Sequence, residues 1–249
     1  MRPIAILQHE AEVAPGNFEQ HLRALGRPFE LIRLHAGDTV PVSAVPFGGI
    51  CTLGGNMSVR SDDGDALPWL DPELALLRDA DTRGVPVIGH CLGGQLLARA
   101  FGATVTRSPH LELGWGRVQV DDQTLAHDWL GADAGAVEFF QWHGDAFDLP
   151  PGARRLLRGD HCANQAFVLE RPGYAHVGMQ FHIEMTPELV RNWVADPAAE
   201  TEGRRERART GGPAVQSPAA MLEQLEFRTA QMARVAARLY DRWLRGVRG

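Results

Sequence analysis

The sequence predicts an open α/β fold, a doubly wound and mostly parallel sheet with helices on both faces. Three observations carry that expectation. Short apolar runs alternate with helix-length amphipathic segments through the first hundred residues. One of those runs passes into a helix through a cysteine flanked by glycines. The 249 residues, 44% hydrophobic and 22% charged, are enough to enclose one large core. Strand and helix in alternation imply parallel strands joined by right-handed crossovers, with a ligand site outside the carboxyl ends of the strands.

Taken in order, residues 4–8 read as a strand, 17–25 as a helix, 30–34 and 48–52 as strands. Residues 72–83 put Leu74, Leu76 and Leu77 at amphipathic helical positions, and 85–89 form another strand. Residues 92–101 then carry Leu96, Leu97 and Ala100 at helical spacing. From about 103 to 181 the pattern turns β-rich. Strands are expected at 113–120, 137–140, 166–169 and 174–180, separated by Gly, Pro and Asp. Helix returns at 187–193. The stretch 196–218 has almost no large apolar residue and reads as a loop or linker. Beyond it Leu222, Leu225, Met232, Val235, Leu239 and Trp243 mark an arginine-faced amphipathic helix within 219–249. Its apolar side is expected to pack on the same sheet as residues 1–195.

Composition excludes several classes. The formal net charge is −6, which offers no general attraction for nucleic acid or an anionic membrane. All 25 basic residues are arginine, so Schiff-base chemistry and lysine-dependent phosphate loops lack their key residue. Three scattered cysteines make no disulfide framework and no C-x-x-C pair. The residues before the first strand are too short for a signal peptide's apolar region, and no run approaches a membrane span. A cytoplasmic protein without a metal or organic cofactor is the expectation, acting on a small molecule.

The most informative segment is Gly89-His-Cys-Leu-Gly-Gly-Gln95. A strand that turns sharply into a helix holds its nucleophile in a constrained backbone conformation, and adjacent glycines relieve the crowding. Cys91 would then cap a helix whose free N–H groups favour a thiolate, with the Leu92 N–H directed at a developing oxyanion. A buried cysteine at a glycine-rich packing point is the alternative reading for Cys91, and packing is the reading for Cys51 and Cys162. A thiol nucleophile needs a base and the base an orienter. His182 ends the apolar run Gly178-Met-Gln-Phe-His182, and Glu184 follows two residues later, on the same side of an extended chain.

Together these two segments resemble the class I, or triad, glutamine amidotransferases, whose G-x-C-x-G-x-Q and F-H-x-E patterns they match. Leu53-Gly-Gly-Asn-Met-Ser58 is similar to that family's oxyanion loop, with Asn56 where proline is usual, and Gln141-Trp-His-Gly-Asp145 to the segment beside its glutamine pocket. The resemblance spans roughly residues 45–195 and implies a flavodoxin-like sheet. It implies that Cys91 is the nucleophile, His182 the base and acid, and Glu184 its orienter. The N–H groups of Gly55 and Leu92 would form the oxyanion hole. Gly54, Gln95 and the backbone around His143 would bind the ends of a glutamine-like substrate, with Glu112 in Glu112-Leu-Gly-Trp115 a further member. No pyrophosphatase or Walker loop accompanies them. The resemblance therefore implies a stand-alone hydrolase of the branch like the amidotransferase part of GMP synthase. A glutaminase subunit serving a separate synthetase, and an idle binding module with the same fold, are the other readings. A thiol protein of the PfpI type would share the elbow but lacks the distal F-H-x-E.

Overall fold

A computed structural model describes residues 1–60, 67–132, 138–195 and 211–249. The first strand, β1 (Ile4–Gln8), shows how the sheet is covered on both sides. Ile4 and Ile6 belong to one apolar cluster, while Ala5 and Leu7 belong to a second on the opposite face. That alternation is the period of two of an extended chain.

Helix α1 (Gly16–Ala24) leads to β2 (Phe29–Arg33), and β3 (Gly49–Thr52) precedes α2 (Leu70–Arg83). Strand β4 (Val87–His90) enters α3 (Leu92–Ala100) through Cys91. Next come β5 (Val105–Val120), α4 (Gln123–Leu130), β6 (Glu138–Phe147), β7 (Arg154–Gly159), β8 (Ala166–Arg171) and β9 (Tyr174–Met179). Helices α5 (Pro187–Ala195), α6 (Pro218–Leu222) and α7 (Leu225–Leu244) follow. The nine strands form one sheet in the order β2-β1-β3-β4-β9-β8-β7-β5-β6. It is parallel from β2 to β9 and antiparallel from β9 to β6.

The parallel half matches the expected order of elements, and the differences lie in the antiparallel half. Strand β5 begins at Val105 rather than at 113, with a register irregularity between Arg107 and Glu112 that hides its continuity in the sequence. Strand β6 runs on to Phe147, so Gln141–Asp145 is ladder rather than loop; Val137, the expected first residue, lies outside the described residues. Helix α4 and strand β7 have no counterpart in the sequence reading. The first is a short helix capped by the Asp122 carboxylate, which accepts from the Leu125 N–H at 2.9 Å. The second buries only Leu156 and Leu157 between arginines, so it shows no apolar run.

The C-terminal helix is two helices, broken where Gln224 takes a φ of 51°. Helix α7 covers one face of the sheet with Met232, Val235, Leu239, Tyr240 and Trp243. Tyr240 meets the ring of Phe18 of α1 edge-on at 4.8 Å. Of the expected linker, residues 196–210 lie outside the described ones. The part beyond them is not free of structure: Val215 bridges to Leu113 of β5, and the Leu113 N–H donates to the Ala214 carbonyl at 2.9 Å. Among the described residues no helix is long and apolar enough to cross a membrane.

Candidate functional site

Strands β4 and β9 are parallel neighbours, with His90 opposite Met179. The Cys91 N–H continues the ladder to the Met179 carbonyl at 2.8 Å, so the residues after both strands emerge at one carboxyl edge of the sheet. Cys91 has φ 49° and ψ −107°, and Gln224 is the only other non-glycine with positive φ among the described residues. For a side chain with a Cβ that conformation is strained. Tight packing holds it. A Cβ added at Gly93 would fall 2.0 Å from the Thr52 carbonyl oxygen, one at Gly94 2.3 Å from that of Met179, and one at Gly89 2.4 Å from that of Gly93. Helix α3 thus approaches β3 and β9 backbone to backbone, and the cysteine turns out at its N-terminus.

His182 is fixed from three sides. Its N–H donates to the Phe140 carbonyl at 2.8 Å, its Nδ1 lies 2.7 Å from Glu184 Oε1, and its ring meets Trp193 of α5 edge-on at 4.8 Å. With Nδ1 occupied by a carboxylate, Nε2 is the ring nitrogen left for the Cys91 thiol, with which the ring interacts. The loop after β3 closes on the same atoms: a Cβ on Gly54 would lie 2.7 Å from His182 Cε1, and one on Gly55 2.8 Å from Leu92 Cδ2. Asn56 explains itself in this loop. Its backbone N–H and its Nδ2 both donate to Glu10 Oε2 at 3.1 Å, and proline has neither donor.

Burial alone would lower the His182 pKa, but the Glu184 carboxylate and the Cys91 sulfur outweigh it and raise it to about 10. Burial likewise pushes Glu184 up, and the charges of His182 and His90 bring it below the usual carboxylate range. The ring and the carboxylate form a buried charged pair. A histidine raised in the folded state contributes stability that is complete below its ordinary value of 6.5 and is lost as pH climbs through about 10. Wild-type protein is therefore expected to lose more unfolding free energy than Glu184→Gln between those pH values. Denaturant titrations across the range check this; parallel curves for the two proteins would mean the ring is not held charged.

The remaining expected residues divide into two groups. Gln95, buried, donates through Nε2 to the Asp145 carbonyl at 3.3 Å and lies against Gln180, whose Nε2 is 3.8 Å from the Cys91 sulfur. The Trp142 carbonyl is 3.9 Å from that sulfur, so the backbone beside His143 borders the site. The His143 ring does not. It turns into the protein toward Glu112, its partner across the β5–β6 ladder, with Nε2 3.0 Å from Glu112 Oε2.

Several residues at the site gave no sequence signal. Asn17 donates through Nδ2 to the Ile183 carbonyl and through its N–H to the Glu184 carbonyl, both at 2.8 Å, and accepts from the Tyr240 hydroxyl at 3.3 Å. The C-terminal helix thereby braces the segment that carries Glu184. Beneath it lies His90, held below the ordinary imidazole value by burial, 3.7 Å from the Cys51 sulfur. Asp145 accepts from Ser58 at 2.7 Å and Arg60 at 2.9 Å, which pins the loop after β3 to β6. These contacts join residues far apart in the chain and follow no periodicity.

Fold and site geometry define an α/β protein with a strained cysteine at a strand-to-helix turn. The profile of the family described as "Glutamine amidotransferase class-I" matches residues 15–195, and the chain belongs to that family. It is 28% identical over 202 residues to the glutamine amidotransferase-like protein YfeJ of Salmonella typhimurium, covering 79% of this chain and 83% of that one. It is 31% identical over 147 residues to the glutamine-hydrolyzing GMP synthase of Rhodopseudomonas palustris, covering 57% of this chain but 25% of the synthase. Among solved structures, a glutamine amidotransferase from Methylobacillus flagellatus superposes with a TM-score of 0.90 at 42% identity, over 100% of this chain and 96% of that one. One from Thermotoga maritima gives 0.79 at 25% identity, over 98% of each chain. The family's general chemistry is hydrolysis of the glutamine amide.

Proposed function

We propose that this chain hydrolyses the γ-amide of glutamine or of a related γ-glutamyl compound through a thioester on Cys91, in the cytoplasm, with no cofactor in the reaction. The observation that carries the reading is the parallel pairing of β4 with β9, which sets the strained cysteine beside the His182–Glu184 pair at one sheet edge. The Cys91 thiolate attacks the γ-carbonyl, and the oxyanion is stabilised by the N–H groups of Gly55 and Leu92. His182, protonated and oriented by Glu184, gives its proton to the departing ammonia or amine. The deprotonated ring then takes a proton from water, which attacks the thioester and releases glutamate. Gly54, Gln95 and the backbone of Trp142 and His143 hold the amino and carboxylate ends of the substrate, and residues 1–195 with 219–249 act as one unit.

A second reading is favoured by the relatives in which the matching segment occupies about a quarter of a GMP synthase: a glutaminase that passes ammonia to a separate synthetase. The two are separated by measuring ammonia and glutamate release from glutamine, γ-glutamyl amines and γ-glutamyl peptides with the isolated protein. Turnover of at least one of these is expected. Turnover of peptides without glutamine would fix the leaving group as a peptide amine. No release from any member would eliminate the stand-alone hydrolase.

A further inference from the structure

Behind the site lies a second cluster that the hydrolysis does not use. Glu112 of β5 and His143 of β6 are directly opposed in the ladder, and Cys162 sits in the turn between β7 and β8. One ligand atom from each falls within 4.8 Å of the others, and all three residues are buried. The hydrogen bonding of His143 decides what this cluster lacks. Its Nδ1 lies 3.1 Å from the Asp145 carbonyl, which can only accept, so Nδ1 carries the proton. A neutral ring then presents the Nε2 lone pair to Glu112 Oε2 at 3.0 Å. Two acceptors face each other in a buried site. Protonating Nε2 does not produce a good hydrogen bond, because the contact is off the line that an N–H···O bond requires and Nε2 has no hydrogen-bond partner.

A cation placed to the side of that contact, where the Cys162 sulfur is, satisfies all three groups. The neighbouring bonds are those that usually orient metal ligands. An imidazole gives its other N–H to a backbone carbonyl, and the Glu112 carboxylate accepts from Gln165 Nε2 at 3.0 Å. Gln165 Oε1 is also buried without a partner, a further oxygen in the same cluster. One imidazole, one carboxylate and one thiolate suit zinc or a similar borderline divalent ion and do not suit magnesium or calcium, which take oxygen ligands.

We propose that Glu112, His143 and Cys162 bind a single zinc-like divalent metal ion that clips β5, β6 and the β7–β8 turn together behind the glutamine pocket. Binding forms the sulfur–metal bond and releases the thiol proton to solvent, with no change of oxidation state. The ion reaches the pocket through one atom: the Asp145 carbonyl that receives the His143 Nδ1 proton also receives Gln95 Nε2. It is a positioning element, so it stands or falls independently of the proposed hydrolysis. Cys162 is then a ligand rather than the packing residue expected from the sequence.

The test uses the full chain carrying Cys91→Ser, which removes the thiol beside His182; Cys51, beside His90, is present in every variant and so cannot account for a difference between them. Protein stripped with a chelator is titrated with cobalt(II) to equilibrium. One equivalent is expected to bind, with a near-ultraviolet thiolate-to-cobalt band and visible bands of low-coordinate cobalt, and zinc should displace it. Adding Cys162→Ser should abolish the thiolate band. Adding Glu112→Gln, which preserves side-chain shape, should weaken cobalt binding at least tenfold while circular dichroism stays unchanged. Absence of saturable binding overturns the proposal, and so does a thiolate band that survives Cys162→Ser. If Cys162→Ser does not fold, unaltered cobalt affinity in Glu112→Gln overturns it equally.

Discussion

Replacing Cys91 by alanine is expected to lower kcat for the γ-glutamyl substrate by about 10⁶-fold, the loss seen when a triad nucleophile is removed. The thioester route disappears with the sulfur, and the oxyanion donors alone leave only slow attack by water. A direct check on the same residue needs no substrate. Burial pushes the Cys51 thiol well above its ordinary value and, in metal-free protein, Cys162 to about 12, so neither free thiol ionises readily near neutral pH. Iodoacetamide at pH 8 is therefore expected to alkylate Cys91 first, read by mass spectrometry of the cysteine peptides. Equal labelling of the three in folded protein would remove Cys91 as the activated thiol. Rapid labelling of Cys91 together with a failure to turn over any γ-glutamyl compound would instead point to the partner-dependent glutaminase.

Gly93→Ala should give a large structural effect at the elbow. The new Cβ would be 2.0 Å from the Thr52 carbonyl oxygen and 2.9 Å from the Thr52 side chain. The first of these neighbours is backbone at the end of a buried strand and cannot rotate away. Helix α3 must lift off β3, and it carries Cys91, Leu92 and Gln95 with it. We expect a stability loss of about 3 kcal/mol, at the upper end for overpacking. Activity should fall further than stability explains, since misplacing reacting groups by about 1 Å costs on the order of 10²-fold. Denaturant unfolding and kcat measured on the fraction that remains folded test the two parts separately. Wild-type stability would mean that the helix yields without cost. Wild-type activity in folded protein would mean that the elbow tolerates displacement.

The parallel half of the fold was readable because each of its elements announces itself locally. Residues 4–8 form a short apolar strand whose alternate side chains feed the cores on either face, and α3 has its leucines at helical spacing. The antiparallel half was less legible. In β7 a pair of leucines between arginines makes no pattern, and the irregularity in β5 interrupts one. There the tertiary partners, rather than periodicity, settle which segments extend.

For the site, the chain by itself determined the candidate groups: which cysteine lies at a glycine-lined turn, which histidine has a carboxylate two residues on, and which loops accompany them. Those are covalent facts of spacing. What lies behind those groups was decided only by folding. The brace from Asn17 and Tyr240, the loop anchor at Asp145 and the inward turn of His143 onto Glu112 join residues far apart along the chain. Such pairs leave no local trace, because a hydrogen bond between distant segments depends on where the sheet sets its strands and not on the residues beside either partner.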